Sequence, residues 1–258
     1  MPSTALSSSR RPAPGGRRRQ LACRSRSRQD RNRRSHLNHR VASPGPRTLG
    51  VGGARRDHGR VENARVRVYW LPLGAGGRAV GRAVARNGRL FEAWVARREH
   101  RSPCELYHAA LQVEVGSAAY VVEMAPAWSR VAEDRGVVAT GPVGLRWLGR
   151  SALFRYEVRR WREGVIPDLE YAVGGPVLVR TDSTRAVHLL ALVPLVPGLT
   201  WGRDELGLGE MWNSNSLVAW LLAGSGHDVG ELAPPAGGRA PGWAAGLRLV
   251  RTWDQAAA

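Results

Sequence analysis

Four consecutive polar residues, Asn213-Ser214-Asn215-Ser216, stand directly before an apolar run, Leu217-Val218-Ala219-Trp220-Leu221-Leu222. This order predicts a helix start, with Asn and Ser as capping groups and Gly224 and Gly226 as the stop. A serine placed there lies among free backbone N–H groups, at the positive end of the helix dipole. That combination suits a nucleophile beside an oxyanion hole. Asn and Ser are also ordinary helix caps, so the run is open to a purely structural reading.

A serine nucleophile needs a base. His36, His39 and His58 lie near the N-terminus, His100 and His227 fall in apparent turns, and His188 sits in an apolar run. His108 remains, within Leu106-Tyr-His-Ala-Ala-Leu-Gln-Val-Glu-Val115, a run that reads as a strand. Read alone, a strand histidine is more often a satisfied structural residue.

The elements that must position these groups follow from the pattern. Arg65–Leu73 alternates as a strand does, with Val66, Val68 and Trp70 set against Arg65 and Arg67. Asn87-Gly88 marks a turn, after which Leu90, Phe91, Trp94 and Val95 fall on one side of a short helix ended by Pro103. Leu106–Val115 and Ala119–Met124, joined by Gly116-Ser117, form an antiparallel hairpin. Residues 125–150 read as loops with brief structure, and Leu153–Trp161 as a further strand. The run from Ala186 to Val193 fits a buried strand or a core helix, and Leu247–Trp253 a last strand. Hairpins with one or two helices give an α+β domain with an antiparallel sheet, not alternating βαβ units.

A histidine opening a hairpin, with Asn-Ser-Asn at a helix start about a hundred residues later, resembles the circularly permuted papain-like superfamily related to NlpC. In its active members the central position of that motif is a cysteine. More narrowly, Arg155-Tyr156-Glu157-Val158 with Trp161, followed by Asn213-Ser214-Asn215-Ser216-Leu217-Val218-Ala219-Trp220, is similar to a bacterial domain family of unknown function. The resemblance spans roughly residues 105–235. It implies a papain-like architecture with Ser214 in the cysteine position, His108 as base, Asn213 and Asn215 flanking the nucleophile, and Glu123 as the orienting group. The expected activity is hydrolysis or transfer at amide or ester bonds. The alternative is an inactive papain-like domain serving as a binding or structural module. Serine in place of cysteine bears on both, because a serine hydroxyl needs a base to remove its proton during attack.

Composition bounds the remaining possibilities. The chain has 258 residues and a net charge of +18, and every one of its 39 basic residues is arginine. Residues 1–60 carry 16 Arg against Asp30 and Asp57, whereas 61–258 hold 23 Arg against 19 acids. The first 68 residues contain no Trp, Tyr or Phe. Such a segment cannot bury enough surface to offset its ordering entropy, so 1–60 is expected to be a disordered tail before a single domain at 61–258. Total absence of lysine points to a GC-rich bacterial genome, which makes arginine a weak sign of nucleic-acid binding. Val61 could stand at a GTG start codon, in which case 1–60 would be translated upstream sequence. Nucleic acid is then expected only as a non-specific partner of the tail.

Other chemistries find less support. Cys23 and Cys104 lack metal-ligand spacing, and no metal or cofactor is expected. Gly74-Ala-Gly-Gly-Arg-Ala79 loosely fits a dinucleotide fingerprint with Glu92 as its acid, but no βαβ unit accompanies it. The apolar run from Val187 to Leu199 would span only about 20 Å as a helix, against a bilayer core of roughly 30 Å. A cytoplasmic protein without membrane attachment is expected. Neither the substrate, small molecule or peptide, nor the oligomeric state can be read from the residues.

Overall fold

The computed structural model describes residues 63–76, 79–127 and 135–257; the Arg-rich segment 1–60 lies outside them. The elements in chain order are β1 (Arg65–Pro72), α1 (Ala79–Arg98), β2 (Glu105–Val115), β3 (Ala118–Pro126), β4 (Val137–Pro142) and β5 (Arg155–Arg162). There follow β6 (Val177–Val179), α2 (Ser183–Leu192), α3 (Ser214–Gly224), β7 (Gly238–Arg239) and α4 (Trp243–Ala257). The main sheet runs β4-β5-β3-β2-β1-β6 and is antiparallel at every pairing. β7 adds two residues parallel to the start of β2. The domain is therefore α+β, as the hairpin pattern predicts.

Alternation along the strands divides the side chains between two faces. Val66, Val68 and Trp70 of β1 join Tyr107, Ala109 and Leu111 of β2 on the first face. α3 packs there through Leu217, Val218 and Leu221. Tyr69, Leu71, Ala110 and Val121 occupy the second face, covered by Ile166 and Ala172 from the loop after β5. Ser214 to Leu222 are all buried, so α3 is the central helix of the core.

Several local expectations are corrected. α1 runs unbroken through Asn87-Gly88. Gly88 lies against the end of the Leu73 side chain, which a Cβ there would push aside. Leu247–Trp253 belongs to a helix, not a strand. Ala245 and Leu249 are buried four residues apart, and Trp253 meets Trp220 edge to face at 5.1 Å, a helical stripe against α3. Within 125–150 the brief structure includes β4, and the ambiguous run at Ala186–Val193 falls mostly within α2. A helix does follow the glycines after β1, but β2 returns antiparallel to β1. The dinucleotide geometry requires a parallel return, so it is not built here.

Candidate functional site

β3 stays beside β2 only from Ala118 to Val122, the last pair being Leu111 with Val122. Beyond it β3 pairs with β5 alone, so the β2 edge at Tyr107 to Ala109 has no strand beside it. The N-terminus of α3 fills that gap. The Asn215 side chain accepts from the Ala109 N–H at 2.8 Å and donates to the Tyr107 carbonyl at 3.0 Å, as a neighbouring strand would. Its NH₂ also donates to Pro241 O at 2.9 Å, a carbonyl it shares with Asn213 Nδ2 at 2.8 Å.

Asn213 and Ser216 close a capping box. Asn213 Oδ1 accepts from the N–H groups of Asn215 at 2.9 Å and Ser216 at 3.2 Å. Ser216 Oγ accepts from the Asn213 N–H at 2.6 Å and donates to Asn213 O at 2.9 Å. Two backbone donors that an oxyanion hole would use are thereby occupied by the cap itself. The first turn of α4 and the residue before it press on the same end. A Cβ at Gly246 would run into the Ser216 carbonyl, and one at Gly242 into the Asn213 side chain.

Ser214 is 5% exposed, and its hydroxyl has no hydrogen-bond partner among the described residues. His108 lies one residue from both backbone groups that Asn215 grips. Strand alternation nevertheless turns its ring to the second face, away from the side on which Tyr107 and Ala109 meet α3. No hydrogen bond joins the ring to Ser214 or to any other described residue. His108 keeps part of its surface exposed, but its desolvation among the second-face side chains pushes the imidazole down to about 4. Such a ring is neutral at pH 7 and a feeble base for a serine hydroxyl.

Glu123 shares the second face with His108 but serves another partner. It sits opposite Arg159 on β5, whose Nη1 donates to Glu123 Oε1 at 2.8 Å, while Arg159 Nη2 donates to Glu157 at 2.9 Å. Burial raises the Glu123 carboxyl above its ordinary range, with Arg159 and Arg135 offsetting only part of that cost. The five expected site residues thus separate into two groups: Asn213, Ser214 and Asn215 at the helix start, His108 and Glu123 across the sheet. Among the described residues no hydrogen bond joins His108 to Ser214 or to Glu123.

No family model, curated protein or solved structure matches this chain.

Two features carry no motif. His227, 4% exposed, has Ser225 Oγ at 2.8 Å from Nδ1 and Thr181 Oγ1 at 2.8 Å from Nε2. It ties the C-terminal end of α3 to the chain entering α2. Its imidazole lies below the ordinary value because burial outweighs the hydrogen bond with Leu222. This cluster leaves no periodic signal in the sequence, since its members come from a turn and an inter-element loop.

The second feature is a cleft of about 560 Å³ between α1 and the loops preceding α3 and α4. Phe91, Trp94 and Val95 of α1 line one wall, facing Met211 and Pro241. Behind α1, Glu92 is buried. Burial pushes its carboxyl up, but hydrogen bonds from Arg101 and from the Cys104 N–H outweigh that and hold it below its usual range. This ion network fixes α1 against the start of β2. Among the described residues no cluster of His, Cys, Asp or Glu is arranged to hold a metal, and no helix is long and apolar enough to cross a membrane.

Proposed function

We propose that this chain is a non-catalytic, papain-like module whose helix-start motif now serves the fold. The chain order supports the papain-like reading: the strand carrying the histidine precedes the helix, and that helix docks its N-terminus against the same strand. The observation that carries the non-catalytic reading is the use of Asn213, Asn215 and Ser216 as a capping box and a strand substitute. A hydrolase would need those donors free for a developing oxyanion, and a base at hydrogen-bond reach of the serine. Here the base faces the other side of the sheet.

A module of this kind binds a ligand or partner without transforming it. The test is turnover of a panel of 4-nitrophenyl acyl esters by the full chain and by Ser214→Ala. The proposal expects the same background rate for both proteins. Ester hydrolysis that Ser214→Ala abolishes would overturn it.

A further inference from the structure

We propose that the cleft between α1 and the loops before α3 and α4 binds a small aromatic anion. The inference deepens the non-catalytic reading and rests on it. At about 560 Å³ the cleft matches the size of small-molecule sites. Its apolar wall is aromatic: Trp94 is 55% exposed, beside Phe91. The Arg98 guanidinium lies 4.7 Å from the centre of the Trp94 ring, a stacked cation above a flat surface.

The charges at the cleft are unequally engaged. Asp204 accepts from the N–H groups of Leu208 and Gly209, both at 2.7 Å. Glu210 accepts from those of Gly242 at 2.8 Å and Ala244 at 3.2 Å. Glu99 is held by Arg101 at 2.6 Å and Arg239 at 3.2 Å. Each acid therefore already has its donors. Arg98, by contrast, has no carboxylate or carbonyl partner among the described residues. Arg203 spends only Nε, on the Gly144 carbonyl at 2.5 Å, which steadies the side chain and leaves both terminal nitrogens unengaged. The site offers donors of positive charge beside an aromatic platform. A ligand with a flat apolar body and one anionic group satisfies both.

Calorimetric titration of the full chain with naphthalene-2-sulfonate tests this, with naphthalene-2-sulfonamide as the neutral counterpart. Saturable binding of the sulfonate, at least tenfold tighter than the sulfonamide, is expected. The double variant Arg98→Gln/Arg203→Gln should weaken the sulfonate tenfold or more and leave the sulfonamide unchanged. Trp94→Ala should weaken both ligands, while Arg251→Gln on α4 should alter neither. Thermal melts establish that each variant is folded; all four positions are exposed. No saturable binding, or binding indifferent to the double variant, would overturn the cleft assignment alone. Ester turnover dependent on Ser214 would instead overturn the non-catalytic reading, whatever the sulfonate does.

Discussion

Asn215 Oδ1 accepts the Ala109 N–H at 2.8 Å across 106 residues of chain, in the place where β3 has already left β2. One side-chain amide thus completes the edge of a strand. Replacing it with leucine leaves the Ala109 N–H and the Tyr107 carbonyl buried and unpaired. Asn215→Leu should cost about 2–4 kcal/mol of unfolding free energy, read by urea denaturation. A loss below about 0.5 kcal/mol would show that the bridge contributes little.

The helix-start residues should rank by their bonds, not by their likeness to a catalytic motif. Asn213→Ala and Ser216→Ala each remove a member of the capping box and should cost about 1–2 kcal/mol. Ser214→Ala removes a hydroxyl with no partner and should fall within about 0.5 kcal/mol of the parent. Chemical denaturation of the three variants gives the order directly.

Stability should fall on mild acidification. The unfolded His108 takes up its proton near pH 6.5, whereas the folded ring holds out to about 4. Between those values the unfolded chain binds more protons, so the contribution is complete above about pH 6.5 and declines as pH drops. Up to roughly 3 kcal/mol is at stake, reduced by the ring's residual exposure. His227 acts with the same sign. Glu123, raised in the folded state, acts with the opposite sign as pH falls toward its ordinary carboxylate range. Unfolding free energies of the parent and of His108→Leu between pH 7.5 and 5 check this; the variant should show the shallower slope.

Gly246 lets α4 cross the start of α3. Alanine there must displace the Ser216 carbonyl, and Gly246→Ala should destabilise by about 1–3 kcal/mol despite its better helix propensity. A rise in melting temperature would contradict the close crossing.

Much of the frame is legible in the sequence, because strands and helices announce themselves by period. The β2–β3 hairpin, the start of α3 with its caps, and the α+β class all follow from local pattern. α4 is not legible as a helix because Leu247–Trp253 is short, and its partner surface on α3 is supplied by tertiary structure. Gly88 looks like a turn because nothing local reveals that Leu73 lies against it. The site illustrates the same limit more sharply. Residue types place His108 and Ser214 on adjoining elements, but one step of strand alternation decides which face the imidazole takes. The capping residues are visible in the sequence; that their donors are spent on one another and on the β2 edge emerges only from the packing.

The central claim is that the start of α3 serves the fold and not a reaction. Incubating the full chain with a fluorophosphonate and weighing the intact protein tests it most directly. The account predicts no adduct on Ser214 while the protein remains folded. A stoichiometric adduct that is absent from Ser214→Ala would contradict it, by showing an activated nucleophile where the structure places a buried, unpaired hydroxyl.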